Sequence, residues 1–382
     1  MSAMTSTGYR SLFEIPDDFA YLNCAYMGPL PRVAAEAGRR SYDQRQTPWE
    51  IGVQEQFFDA PEALRAEASG FFGATPDDIA LVPAASYGLA TAAANLRIEP
   101  GQEILTLAEQ FPSNVYVWRR KAESEGGKVR AVTRSANQSW TEAVMEALGP
   151  QTAIVAIPEV HWSDGGRLDL PAISAELRQH GGQLVLDLTQ SLGTAPFDLA
   201  AIQPDFAVAA GYKWLLTPYT VGFLYIAPAH QSGRPLEEGW IVREGAEDFA
   251  KLVDYADTHA PGARRFDMGE RSAFQLVPAA LESLKWLRSL GFEALRGELA
   301  ERTAAAEEAA RPLGLYSDTP DRAAHYLCLV LPDGTPADLA QRLQRHNVSV
   351  SQRGRRLRVT PHLYNSTQDI DRFAAALRAE LA

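Results

Sequence analysis

The chain has 382 residues, 46% hydrophobic and 22% charged, with a formal net charge of −12. That length allows two domains with sizeable cores, and the acidic balance argues against nucleic acid or an anionic membrane as the main partner. No apolar run is long enough to span a bilayer, and the first ten residues lack the apolar core of a secretory leader. The only cysteines, Cys24 and Cys328, lie far apart, so a reducing cytoplasm is expected; the seven histidines show no metal-ligand spacing, and no metal site is expected.

From about residue 75 to 230, short apolar runs alternate with helical patterns. Residues 79–82, 103–107, 128–132, 153–157, 183–187, 205–209 and 221–226 read as strands, with helices over 114–124, 141–148 and 171–180 between them. This alternation predicts βαβ units and a mostly parallel seven-stranded sheet with flanking helices, an α/β fold. Too few residues join the last two strands for a helical crossover, so they are expected to pair antiparallel at one side of the sheet. Beyond residue 255 the pattern changes. Long helices over 272–290 and 292–311 precede an apolar run at 326–331, a helix over 336–346, short strands around 348–351 and 356–359, and a last helix over 368–381. The division expected is a large domain over 15–260 and a smaller α+β domain over 261–382, with residues 1–14 as an arm packing on the smaller one.

Lys213 carries the most information. It lies in Gly211-Tyr212-Lys213-Trp214 between two apolar runs, whereas Lys121, Lys128, Lys251 and Lys285 sit in sequence that reads as solvent-facing. A lysine in an apolar pocket is costly to desolvate unless its amine is neutral or covalently used, as in a Schiff base. Upstream, Asp187 ends a buried strand and Gln190 comes three residues later. A lysine for an aldehyde and a carboxylate for a ring nitrogen suit pyridoxal 5'-phosphate, with Gln190 donating to the ring oxygen. Taken singly, Lys213 would read as a lysine reaching out from a strand end and Asp187 as a helix N-cap. Together, on neighbouring strands, they point to a ligand beyond the strands' C-terminal ends.

The segment Pro83-Ala84-Ala85-Ser86-Tyr87-Gly88 follows a strand and opens a helix, so backbone N–H groups at Ala85 and Ser86, with the Ser86 hydroxyl, suit a phosphate. Tyr212 can reach the same phosphate, or simply pack in the core. Phe111 can stack on a cofactor ring or act as a staple at a helix start. His161 and Trp162, after another strand end, can line the pocket or cover its edge. Arg358 alternates with Leu357 and Val359 as in a half-buried strand, and its planar guanidinium suits a substrate carboxylate.

These residues together resemble the class-V aminotransferase superfamily of pyridoxal-phosphate fold-type I enzymes, which includes kynureninases, isopenicillin-epimerase-like proteins and cysteine desulfurases. The likeness covers nearly the whole chain. It rests on residues 21–31, on Asp187-Leu188-Thr189-Gln190-Ser191 and on Tyr212-Lys213-Trp214; the segments 111–116 and 358–365 look closest to kynureninase. The resemblance implies Lys213 and Asp187 as catalytic residues. It implies a cofactor held by Ala85, Ser86, Phe111, Asp187, Gln190, Tyr212 and Lys213, and a small amino-acid substrate held by Arg358, His161, Trp162 and Asn23. It also implies a homodimer.

The chain departs from its relatives at Tyr212 and Gln190, where histidines are common, and at Gly269-Glu270, where many carry Gly-Thr. No cysteine stands in the loop before Arg358, so persulfide chemistry is not expected, and Cys328 reads as core. The reaction expected is Cα deprotonation of an external aldimine leading to β-elimination or related lyase chemistry, with transamination or epimerisation as alternatives and a non-catalytic binding or scaffold module as the alternative of another class.

Overall fold

The computed structural model describes residues 8–381. In chain order the strands are β1 (Ala20–Tyr21), β2 (Ile79–Val82), β3 (Glu103–Leu107), β4 (Lys128–Val132), β5 (Thr152–Pro158), β6 (Gln183–Asp187), β7 (Phe206–Ala210), β8 (Gly222–Ile226), β9 (Leu327–Val330), β10 (Val348–Ser349), β11 (Ser351–Arg353) and β12 (Arg356–Val359). Strands β2 to β8 form one sheet in the order β2-β8-β7-β6-β5-β3-β4. β8 runs antiparallel to both neighbours, β7 and β2, and the other pairs are parallel, so six strands point the same way. The seven expected strands are all present within one residue at either end. β8 is not an edge, however: it lies between β7 and β2, and the edge falls to β2.

Strands β2, β5, β7 and β8 are buried along their whole length, as expected of strands covered on both faces. Their side chains alternate between two cores. Leu81, Leu186, Ala209 and Phe223 face one, with Leu64, Phe72, Val144, Ile173 and Leu284 from the helices Ala60–Phe72, Trp140–Ala147, Leu170–Gln179 and Val277–Leu290. Val82, Val185, Val208 and Leu224 face the other, with Leu89 and Trp118 from Ala85–Asn95 and Ser113–Glu125.

A third core is built mainly from the C-terminal part of the chain. The antiparallel sheet β11-β12-β9 contributes Leu327, Leu329, Leu357 and Val359, and the helix Thr367–Leu381 contributes Phe373 and Leu377. Ala20 and Leu22 belong to this core too, because β1 pairs in parallel with β10. Conversely, the helix Val277–Leu290 sends Ala280, Leu284 and Leu287 into the large core. That helix was expected from residue 272; it begins at Val277 because Pro278 has no N–H to give and fits only a first turn. Of the expected 1–14 arm, residues 1–7 lie outside the described residues. Arg10 donates to Asp369 Oδ2 at 2.8 Å, and the Phe13 ring packs edge-on to Tyr364 and Trp286.

Lys121 corrects one sequence expectation: it is buried, and its amine donates to the Ala93 and Leu96 carbonyls and to Glu125. Its helix lies against the sheet, and the amine caps the end of the preceding helix.

The segment joining the large core to the C-terminal part of the chain is fixed by a buried ionic cluster. Arg65 and Asp267, both with no side-chain exposure, make two hydrogen bonds of 2.7 and 3.0 Å. Asp267 also accepts from the Leu81 amide and from Arg271. The carboxyl is held below its usual range: burial opposes ionisation, and the guanidiniums of Arg65 and Arg271 overcome it. Met268 N–H donates to Leu81 O, so the crossing segment closes along β2.

Candidate active site

Because six strands share one direction, the C-terminal ends of β2, β5, β6 and β7 converge on one edge of the sheet. There they surround a cavity of about 380 Å³ lined by Ala85, Ser86, Phe111, Trp162, Asp187, Gln190, Tyr212 and Lys213 among others. The structure thus brings together every cofactor residue expected from the sequence. The β7–β8 connection carries Lys213. Its path includes left-handed conformations at Leu216 (φ 52°) and Thr220 (φ 69°), the latter rare for a β-branched residue. Two contacts hold it: Ser283 Oγ donates to Leu216 O at 2.7 Å, and Gly28 N–H donates to Tyr212 O at 2.8 Å. A Cβ at Gly28 would sit 2.3 Å from Lys213 O, so only glycine lets the N-terminal segment cross so close to the lysine.

Lys213 is 7% exposed and its amine makes no hydrogen bond to protein among the described residues. Burial lowers its pKa to about 8, with Asp187 acting in the opposite sense and Arg358 adding to the lowering. Nζ lies 5.5 Å from the centroid of the Phe111 ring and 5.7 Å from that of Tyr212. Asp187 ends β6, and Oδ1 accepts the Thr189 amide at 3.0 Å. Its pKa is raised, first by burial; the Thr189 hydrogen bonds and Lys213 pull the other way without prevailing. Both groups are therefore pushed toward neutrality, the expected result for opposite charges that burial separates from water without a direct ion pair.

Gln190 is oriented by three contacts. Its Oε1 accepts from Trp214 Nε1 at 3.0 Å, its Nε2 donates to Ala25 O at 3.2 Å, and its backbone carbonyl meets His325 Nε2 at 2.7 Å. An indole N–H can only donate, so the amide cannot be flipped, and one Nε2 hydrogen is left over. Sequence reasoning missed Trp214 and His325. Trp214 adjoins Lys213 and could have been suspected, but nothing local marks His325.

At the other end of the cavity the helix Ala85–Asn95 begins after Ala84, whose extended backbone and methyl side chain leave the first turn without a side-chain cap. The amides of Ala85 and Ser86 have no backbone acceptor among the described residues. Tyr212, whose hydroxyl pKa is pushed up to about 12 first by burial, packs its ring against Tyr219 with centroids 4.6 Å apart.

Of the expected substrate residues, Trp162 lines the cavity; its ring meets Phe111 edge-on at 5.4 Å, and its indole donates to Glu109 O at 2.6 Å. Arg358 is not among the residues lining the cavity; it is buried on β12. It donates through Nη1 to Trp162 O at 3.0 Å and to Tyr326 Oη at 3.1 Å, while Nε is buried without a partner. His161 lies outside the cavity. It is fully buried against the Trp140 ring, with Nε2 on Ala108 O and Nδ1 toward Ser163 and Asp164. Asn23 is also outside, and its Oδ1 accepts from Ser351 Oγ at 2.7 Å. Gly269, before the divergent Glu270, donates its amide to Glu237 at 2.7 Å. Cys24 and Cys328 are buried and free, their thiols pushed up by burial, with Cys328 on β9 opposite Arg358.

The sequence pattern of the family described as "Aminotransferase class-V" matches residues 45–378. The chain belongs to the class-V aminotransferase family. Over 96% of its length it is 26% identical to the uncharacterized aminotransferase YcbU of Bacillus subtilis strain 168, of which 97% is covered. It is 29% identical to isopenicillin N epimerase of Streptomyces clavuligerus, with 94% of each chain covered, and 30% identical to a kynureninase of Deinococcus radiodurans over 72% of this chain and 67% of that one. The cystine C–S lyase C-DES has the same fold, with a TM-score of 0.85 at 22% identity over 94% of this chain and 97% of that one.

The family's cofactor is pyridoxal 5'-phosphate, and the cavity fits it. A desolvated carboxylate without a cation partner, a buried amine without a hydrogen bond, an exposed aromatic face and an uncapped helix start stand around one space. These are the complements of a protonated ring nitrogen, an aldehyde, a flat ring and a phosphate.

Proposed function

We propose that this chain acts on an amino-acid substrate, with Lys213 as the base at Cα, and that the reaction ends in loss of a β-substituent. The observation that carries the reading is the placement of Lys213 and Asp187 at adjoining strand ends around one cavity, with the buried Arg358 against Trp162 of its wall and without a carboxylate partner among the described residues. When bound, pyridoxal phosphate supplies an aldehyde for amines and a ring that takes up electron density. Asp187 keeps the ring nitrogen protonated. Burial that raises its pKa is overcome once a cation faces it, since an opposite charge at contact favours the ionised form. Gln190 offers its remaining amide hydrogen to the ring oxygen, Phe111 covers the ring, and the amides of Ala85 and Ser86 with the Tyr212 hydroxyl hold the phosphate.

Arg358 presents its unpartnered edge to the substrate's α-carboxylate. Lys213 takes the proton from Cα; burial brings its pKa down to about 8, so the unprotonated form that accepts a proton is far more populated near neutral pH than in an exposed lysine. Trp162 and Phe111, in edge-on contact, wall the cavity beside Lys213. No cysteine takes part, because both thiols are buried and neither lines the cavity. Elimination is favoured over epimerisation because a single strong base serves it. A second proton carrier across the substrate would have to be Tyr212 or Tyr219 among the described cavity residues. A second reading, transamination, is supported by the likeness to YcbU along nearly the whole chain.

The test is incubation of cofactor-loaded protein with a panel of amino acids. Release of ammonia, a 2-oxo acid and the β-fragment, with an unchanged cofactor spectrum, supports elimination. Conversion of the cofactor to its amine form without a released fragment overturns it in favour of transamination.

The reading includes a second copy of the chain over the cavity mouth, supported by the exposed aromatic rings of Phe111 and Tyr219 in its lining. Sedimentation of a monomer at assay concentration would contradict it. A reducing compartment suits the two free thiols, and no helix among the described residues is long and apolar enough to cross a membrane.

A further inference from the structure

Strands β11 and β12 form a hairpin in which Ser351 pairs with Arg358 and Arg353 with Arg356. Cross-strand partners share a face, and so do residues two apart on one strand. Arg353, Arg356 and Arg358 therefore project from the same side. Of the four arginines between 353 and 358, Arg355 pairs with Asp333 and Arg356 with Asp318, each through an ion pair of 2.7 to 2.8 Å. Arg353 and Arg358 have no carboxylate partner among the described residues. Both instead approach one aromatic ring of the cavity wall: the Arg353 Cζ lies 5.8 Å and the Arg358 Cζ 5.6 Å from the centroid of Trp162. The two guanidiniums can be no further apart than those two distances laid end to end.

Leaving two like charges close together without an acid is unfavourable, the more so when one is buried. An amino acid offers one α-carboxylate, which accounts for Arg358 alone. Resting on the reading of the Lys213 cavity given above, we propose that the substrate is an acidic amino acid whose β-substituent, the group that leaves, ends in a second carboxylate, and that Arg353 binds that group while Arg358 holds the α-carboxylate. The assignment makes Arg353 a specificity residue. Trp162, which lines the cavity, is the platform on which its guanidinium rests. Arg353 is otherwise fastened only by a hydrogen bond to its neighbour's carbonyl, Gln352 O at 2.8 Å, which leaves the rest of its fork open.

The test has two arms. In the first, cofactor-free protein is titrated calorimetrically with glutarate and with its mono-amide, glutaramate, which keeps shape and removes one charge. Glutarate is expected to bind at least tenfold more tightly, and Arg353→Gln to remove that preference. Arg355→Gln, which deletes the same charge from the same hairpin, is expected to keep it. Equal binding of the two ligands, or a preference that survives Arg353→Gln, overturns the proposal. In the second arm, cofactor-loaded protein is titrated with glutamate and glutamine while the visible band is followed, and the same tenfold ratio and the same loss are expected. A protein that takes up no cofactor defeats the reading of the Lys213 site, yet the glutarate arm still decides for or against Arg353. Arg353 is solvent-exposed, so an unchanged urea midpoint confirms that its variant is folded.

Discussion

The amine of Lys213 stands 5.5 Å from the centre of the Phe111 ring, with the Asp187 carboxylate in the same cavity. A flat ring lying against Phe111 would place its edge within reach of that amine. Lys213→Ala is accordingly expected to abolish the imine band of cofactor-treated protein, leaving only that of the free aldehyde, and borohydride reduction of the wild type to label the peptide containing position 213. The rate of capture is expected to rise with pH and level off above about 8, because burial lowers the amine's pKa to that value and only the unprotonated form is nucleophilic. Stopped-flow absorbance between pH 6 and 9 checks this; a rate still climbing steeply at pH 9 contradicts it.

Asp187→Asn separates binding from chemistry. The variant keeps shape and the Thr189 contact but cannot hold a proton on the ring nitrogen. It is expected to retain the Lys213 label while turnover falls by about a hundredfold or more. Without cofactor the variant should be at least as stable as the wild type, since a desolvated carboxylate has been removed. Turnover within a few-fold of wild type would dismiss the role given to Asp187.

The Arg65–Asp267 pair predicts a purely structural effect. Asp267→Ala leaves the unexposed Arg65 guanidinium with only Glu62 and the Ile79 carbonyl, and the Leu81 amide without an acceptor. A loss of about 3–5 kcal/mol in urea unfolding is expected. A loss below about 1 kcal/mol would mean that the cluster does not fasten the crossing segment.

His362 gives a pH dependence of stability. It is fully buried, neither ring nitrogen has a partner, and burial, with Arg302 and His325 adding, lowers its pKa to about 3. The unfolded imidazole takes up a proton below its ordinary 6.5, whereas the folded one stays neutral until about pH 3. Its contribution to stability is therefore complete above pH 6.5 and declines as pH falls through that window, by up to about 1.4 kcal/mol per pH unit. His362→Leu should reduce the difference in urea midpoint between pH 7.5 and pH 5. An unchanged difference would show that another group controls the acid limb.

The seven strands were legible because each is a short apolar run bounded by turn residues, a pattern that local sequence carries by itself. Lys213 and Asp187 were legible for a related reason: a charge at the end of such a run is conspicuous. The orientation of Gln190 was not, since it depends on Trp214, Ala25 and His325, brought together only by the fold. His161 was expected at the substrate because it comes after a strand end. Its chain instead turns inward there, and the ring is held between Ala108 O and Ser163. Lys121 was misread because an amphipathic helix can bury a long side chain and return its amine to carbonyls, and only the Glu125 spacing hinted at this. The approach of Arg353 and Arg358 to the one ring of Trp162 needed the hairpin register, which a one-residue slip would have reversed.

The reversed strand β8 bears on how the molecule is made. β2 is synthesised early, but its sole partner in the sheet is β8, which emerges from the ribosome only after β3 to β7 have been completed. Until then an entirely apolar strand has an open hydrogen-bonding edge, the feature that invites association with other nascent chains. β1 waits longer still, for β10. Such distant pairings slow folding, and they make truncated translation products, rather than the finished chain, the species that would aggregate.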